Sequence, residues 1–168
     1  MYYQLSDGLF VSKISLYTDE WVEAMNATLE ASSSGQVLLC DIPVRDVLGM
    51  NESEVIQAFG EPEVNDSSSI TYRVNDPQWL EIWFDSDGKV DSIYGDATNF
   101  TYQGQSLYQD QDVIIELLGN NYQNLGGAGY GFECQWILGD CCFVFGFPKF
   151  GDDEGRFMAQ YIAVWVYE

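Results

Sequence analysis

The sequence predicts an α+β fold in which tandem helix-plus-three-strand units share one antiparallel sheet, with the helices on one face. Three observations lead there. The stretch Leu48-Gly49-Met50-Asn51-Glu52-Ser53-Glu54-Val55-Ile56-Gln57-Ala58-Phe59-Gly60 returns 59 residues later as Leu107-Tyr108-Gln109-Asp110-Gln111-Asp112-Val113-Ile114-Ile115-Glu116-Leu117-Leu118-Gly119. In both copies a capping residue, Asn51 or Asp110, opens an apolar helical run that a glycine closes. Apolar strands follow each run. The chain therefore reads as a single domain, residues 1–168, made of an N-terminal strand-helix element (1–43), a first unit (44–102) and a second (103–168).

Residues 9–17 read as a strand. Thr18 can cap a helix over 19–31, with Trp21, Ala24, Met25 and Leu29 on one side, which Ser32-Ser33-Ser34-Gly35 stops. Residues 37–42 form a short apolar extended segment, and Pro43 leads into the first unit. There Asn51 and Glu54 have capping-box spacing, Val55, Ile56 and Phe59 supply a helical apolar face, and Gly60-Glu61-Pro62 ends the helix. Strands are expected at 70–74, 79–85 and 89–94, the last two joined by the hairpin signal Ser86-Asp87-Gly88. The second unit offers a helix over 110–118 and strands at 130–137, 141–147 and 158–167, with a longer final hairpin at 148–156.

Composition narrows function. With 46% apolar residues among 168, the chain is long enough to bury a core without a staple. Its net charge of −21 is spread as −5 over 1–43, −9 over 44–102 and −7 over 103–168, so it is not a disordered acidic tail. Six basic residues cannot form a phosphate-binding footprint, which argues against direct nucleic-acid binding. Such charge instead favours solubility, steering toward a basic partner, or imitation of a polyanion. No apolar run is long enough to span a membrane. Read as native, Met1 implies a cytoplasmic protein; a removed signal or lipobox segment would make it extracytoplasmic.

Catalytic signals are missing. The absence of histidine excludes Ser-His-Asp and Cys-His arrangements and imidazole metal sites. Cys40, Cys134, Cys141 and Cys142 lack zinc-ligand spacing and read as buried free thiols, with Cys141 and Cys142 on opposite faces of a strand. Asp85-Ser86-Asp87-Gly88-Lys89 reads as a turn rather than a calcium loop, and the glycine-rich run 125–131 lacks the Lys-Ser/Thr of a phosphate cradle. Asn26, Asn51, Asn65 and Asn99 begin Asn-x-Ser/Thr sequons, which matter only in a glycosylating secretory pathway. Neither a metal nor a cofactor is expected.

Strand alternation supplies the functional hint. In residues 79–84, Leu80, Ile82 and Phe84 share one face and Trp79, Glu81 and Trp83 the other. Near the C-terminus Ile162, Val164 and Val166 would cover the helices, while Tyr161, Trp165 and Tyr167 point away. Large aromatics on the outer face of a one-sided sheet mark a contact surface or a covered face. Trp79, Trp83, Tyr161, Trp165 and Tyr167 are thus the candidate partner anchors, with Glu81 and Asp91 as acidic contacts.

The pattern Gly49, Glu54-Val55, Phe59-Gly60, Pro62, Tyr72, then Ile82, Phe84-Asp85, Gly88-Lys89-Val90 and Ile93 resembles the helix-plus-hairpin unit of β-lactamase-inhibitor-protein-like domains, a unit shared by SmpA/OmlA-type lipoproteins. The resemblance covers residues 44–95 well and 103–167 more loosely, since the second copy lacks the Gly-x-Pro and the Asp-x-x-Gly-Lys turn. It implies a curved sheet whose concave, aromatic-bearing face grips another protein. The expected function is a non-enzymatic protein-binding module of inhibitor or assembly type. Two alternatives are an acidic intracellular antagonist, such as a phage anti-defence or toxin-immunity protein that blocks a basic groove, and an extracytoplasmic SmpA/OmlA-type lipoprotein.

Overall fold

A computed structural model of the chain describes residues 35–73, 79–127, 131–149, 151–152 and 155–167. The strand expected at 9–17 and the helix at 19–31 lie outside the described residues. What is described is sheet-dominated α+β. Strands β1 (Val37–Leu39) and β2 (Ile42–Pro43) precede helices α1 (Val44–Val47) and α2 (Glu52–Phe59). Then come β3 (Val64–Asn65), β4 (Ser69–Arg73), β5 (Trp79–Phe84), β6 (Val90–Asp96), β7 (Phe100–Tyr102), β8 (Gln105–Ser106), α3 (Gln111–Leu118), β9 (Gln123–Gly126), β10 (Gly131–Leu138), β11 (Cys141–Pro148) and β12 (Tyr161–Val166).

The main sheet has eight strands in the order β3-β4-β5-β6-β12-β11-β10-β9, antiparallel at every step. Two consecutive meanders thus meet where β6 lies against β12, with Ile93 opposite Val164. Each helix is set by local chemistry. Asn51 accepts from the Glu54 N–H and the Glu54 carboxylate accepts from the Asn51 N–H, completing a capping box; Asp110 accepts from the Val113 N–H. Gly60 and Gly119 close the helices at φ 88° and 90°, which L side chains rarely adopt. A ring donor from the second strand of each meander then reaches back to that glycine. Tyr72 on β4 donates to the Gly60 carbonyl and Trp136 on β10 to that of Gly119, both at 2.9 Å.

The helices lie on one face of the sheet. Val55, Ile114 and Leu118 pack in one cluster with Leu80, Ile82, Ile93, Trp136, Phe143, Phe145, Ile162 and Val164, and Val44, Val47 and Leu48 join them. The 8-residue α2 and α3 are amphipathic, so burial against the sheet and not helix propensity stabilises them.

Four departures from the sequence reading have physical causes. Edge strands β3 and β9 were not expected, because Val64–Asn65 is exposed and Gln123–Gly126 is mostly polar and exposed, without alternation. The segment 37–42 is broken by Cys40 and Asp41 at φ 47° and 70°, a tight turn that folds β2 back on β1. A second, four-stranded sheet, β2-β1-β7-β8, arises because the tight Gln103-Gly104 turn, φ 50° and 76°, folds β8 onto β7 beside β1. Cys40 is exposed rather than buried, since it sits at the first of these turns; the other three thiols are buried, and all four are free. Residues 85–89 do form a turn, in which the Asp85 carboxylate accepts from the Asp87 and Lys89 N–H groups. Asn99 is only 7% exposed and donates to the Trp79 carbonyl, so its sequon is internal.

Asn51→Ala and Asp110→Ala should each lower stability by about 1 kcal/mol, as loss of a cap does, and the two losses should add. Ile82→Ala, which empties a fully buried site, should cost about 2–5 kcal/mol. Urea midpoints at constant slope check all three.

Candidate functional site

Along β5 and β12 the burial pattern is the same: Leu80, Ile82, Ile162 and Val164 are buried, while Trp79, Glu81, Trp83, Tyr161, Ala163 and Trp165 are half-buried on the face away from the helices. Phe84 and Val166 pack against the edge of the core. Strand register arranges the outer face in three cross-strand rows. The first runs Glu133, Gly146, Tyr161, Asp96 across β10, β11, β12 and β6. The second is Gln135, Val144, Ala163, Tyr94, Glu81, Thr71, and the third Ile137, Cys142, Trp165, Ser92, Trp83, Ser69.

These rows bring Tyr161 and Glu81 together with two groups that sequence reasoning missed, Tyr94 and Glu133. Trp79, Tyr94 and Tyr161 make a line of rings, with centroids 4.7 and 5.0 Å apart and each step tilted by 51°. Tyr161 passes over Gly146 to donate its hydroxyl to the Glu133 carboxylate two strands away. A Cβ on Gly146 would overlap the Cε1 and Cζ atoms of that ring, so the glycine is what lets the side chain cross β11. Gly146 lies inside an apolar run, where only the register discloses its role. Trp83 and Trp165 flank Ser92 in the third row. Asp91 is exposed at the bulge opposite Trp83 and Phe84, and Tyr167 lies past the end of β12 with its N–H donating to Asp140. Those two therefore stand beside the face rather than within its rows.

The outer face is not uniformly open. Ile137, Cys142 and Val144, at 5, 0 and 6% exposure, are buried on it, apart from the main core cluster. The partly exposed aromatic area is thereby confined to β5, β6 and β12.

Burial pushes the Tyr161 phenol well up from its usual range, and its hydrogen bond to the charged Glu133 adds to this. Tyr94 is raised by burial, with the charges of Glu133 and Glu81 contributing. Burial raises Tyr72 to about 12, Cys134 to about 11, and Cys141 and Cys142 to about 12 each. The buried thiols thus stay protonated at neutral pH and are poor nucleophiles. A separate open hollow of about 620 Å³ is lined by α1, α2 and the β5–β6 turn, where Lys89 approaches Glu54 at 4.0 Å. Among the described residues no cluster of His, Cys, Asp and Glu has metal-holding geometry, and no helix is long and apolar enough to cross a membrane.

No protein-family model matches the chain, and neither does any curated protein. Two solved structures are similar. One is an extracellular protein containing a SCP domain from Bacillus anthracis str. Ames, at 11% identity and TM-score 0.52 over 73% of this chain; the match spans 45% of that protein, under half its length. The other is the DUF4309-family protein YjgB from Bacillus subtilis subsp. subtilis str. 168, at 16% identity and TM-score 0.49 over 88% of this chain and 99% of that one. At this identity the first likeness is one of fold alone.

Gly146→Ala should displace the Tyr161 ring, break its bond to Glu133 and cost about 1–3 kcal/mol, as overpacking does. Most of the loss should vanish in the Tyr161→Ala background, read by a double-mutant cycle on denaturation midpoints. Stability should also fall at alkaline pH. The unfolded chain releases thiol protons near 8.5 and phenol protons near 10, whereas the folded chain holds them to higher pH. The contribution is complete below about 8.5 and declines as pH rises toward about 12, which urea midpoints across that range measure.

Proposed function

We propose that the chain is a non-enzymatic protein-binding module of inhibitor or assembly type, built from two copies of one helix-plus-meander unit as in β-lactamase-inhibitor-protein-like domains. The tandem reading rests on matched details in residues 44–102 and 103–168. Helices α2 and α3 each have a side-chain cap and a terminal glycine, each glycine carbonyl accepts from a ring donor on the second strand, and each cap residue bridges to the residue just before, or close before, the last strand, Asn51 to Lys89 and Asp110 to Met158.

One observation supports this contact face: Trp79, Trp83, Tyr94, Tyr161 and Trp165 are all half-buried on the sheet face opposite the helices. A solvent-facing antiparallel sheet ordinarily carries polar groups there. Aromatics with part of their surface accessible supply large contact area at low entropic cost, and such residues dominate the energetics of interfaces. Glu81 lies among them as a polar contact, and Asp91 and Tyr167 are placed at the rim.

Trp83→Ala should weaken binding to a partner recovered on the immobilised full chain at least fivefold, more than about 1 kcal/mol. Its thermal unfolding should stay close to that of the parent, and Glu116→Gln on the helical side should leave affinity unchanged. Calorimetry compares the three chains. Unaltered affinity in Trp83→Ala, or its failure to fold, would remove Trp83 as an anchor.

A further inference from the structure

The line Trp79, Tyr94, Tyr161 is flanked by carboxylates on both sides. Glu81 stands opposite Tyr94 on β5, Asp96 opposite Tyr161 on β6, and Glu133 is hydrogen-bonded to Tyr161 from β10. Strands β5, β6, β10, β11 and β12 contain no Lys or Arg; on β4, Arg73 holds the register position opposite Trp79. Among the described residues, three other cations are engaged elsewhere: Arg45 with Asp140 at 2.8 Å, Arg156 with Asp152 at 2.8 Å, and Lys89 near Glu54. Among the described residues the strip therefore joins aromatic faces, whose quadrupoles attract positive charge, to three carboxylates on strands that carry no Lys or Arg. That Glu133 and Glu81 both act on the Tyr94 phenol is consistent with a negative field along the rings.

We infer that this strip receives a Lys or Arg side chain from a basic surface of the partner protein, its cation lying against the Tyr94 and Tyr161 rings and pairing with Glu81 or Glu133. The inference rests on the outer face being a protein contact surface, and it names the chemistry of the partner. Charge complementarity selects that occupant. A chain of net charge −21 attracts a basic surface from a distance and repels a second copy of itself. Half-burial of the strip lowers the local dielectric, so a cation paired there gains more than it would on an open surface. Arginine fits better than lysine because its planar guanidinium can stack on a ring and still meet a carboxylate.

The test uses the full chain and two capped peptides of equal length, hexa-arginine and its uncharged isostere hexa-citrulline, titrated by calorimetry at physiological salt. Hexa-arginine should bind at least tenfold more tightly than hexa-citrulline and should shift the Trp79 indole N–H resonance. The paired change Glu81→Gln and Glu133→Gln, which keeps size and one accepting oxygen on each side chain while removing the charge, should lower hexa-arginine affinity about tenfold, within the range of a desolvated cation–π and ion-pair contact. The same charge change on the exposed face of α3, Asp112→Asn with Glu116→Gln, should lower it less than twofold. Equal losses in the two double variants would overturn the inference, since they would reduce it to diffuse attraction by a polyanion; so would an unmoved Trp79 resonance in the parent chain, which needs no variant to fold. If those results coincide with an intact loss of partner affinity in Trp83→Ala, the cation inference fails while the contact face stands. If Trp83→Ala is silent, Trp83 is lost as an anchor of the contact face, an outcome separate from the failure of the cation inference.

Discussion

The antiparallel pairing of β6 with β12 is the constraint on which the rest of the molecule depends. It joins the meander of residues 64–96 to that of 123–166 and turns two small sheets into one of eight strands. Helices α2 and α3 are eight residues each, too short to persist without a sheet to pack against. Once joined, the halves share a core in which Ile93 of one lies opposite Val164 of the other, both fully buried. The pairing also fixes the face of every residue in the centre, because a slip of one position would exchange the Ile162–Val164 and Tyr161–Trp165 sets between core and exterior.

The outer face inherits its geometry from that register. Tyr161 can reach Glu133 only because the position between them is a glycine, so the row Glu133, Gly146, Tyr161 couples three strands through a side chain rather than through backbone alone. Its hydroxyl is thereby held, and the ring is directed across the sheet toward β10 while its other neighbour, Tyr94, stacks obliquely with Trp79. Rings fixed in this way have little side-chain freedom left to lose, which is what preorganisation means for an aromatic surface. The patch at Ile137, Cys142 and Val144 is buried on the same face, so its half-buried rings are those of β5, β6 and β12.

Much of this was legible in the chain. The helix ends could be read because their signals are local: Asn51 with Glu54, Asp110, Gly60 and Gly119 act within a few residues of one another. The inward and outward sets of β5 and β12 followed from period-two alternation, which survives as long as one face is apolar. Edge strands β3 and β9 left no such mark, since an exposed edge imposes no pattern on either face. The Tyr94, Glu133 and Gly146 contributions to the candidate site were hidden for a different reason. They lie on three strands from two halves of the chain, and only the pairing of those strands makes them neighbours. Likewise the four-stranded second sheet depends on β7 meeting β1, some sixty residues apart in the chain, which no short-range pattern announces.

Charge reconciles an aromatic face with a long open sheet. Among the described residues the eight-stranded sheet ends in β3 and β9, edge strands that carry Val64 and Leu125, two of the exposed large hydrophobics. Such edges invite pairing with a second copy, and half-exposed aromatics on a flat face invite stacking. Three features oppose that outcome. The β3 edge is only two residues long, the β9 edge is interrupted by a bulge opposite Glu133 and Cys134, and each copy carries 21 net negative charges that must be brought together in any homotypic contact. The same repulsion is absent, and becomes attraction, when the approaching surface is basic. Acidity spread over all parts of the chain therefore discriminates approaching surfaces by the sign of their charge as well as keeping copies of the chain apart.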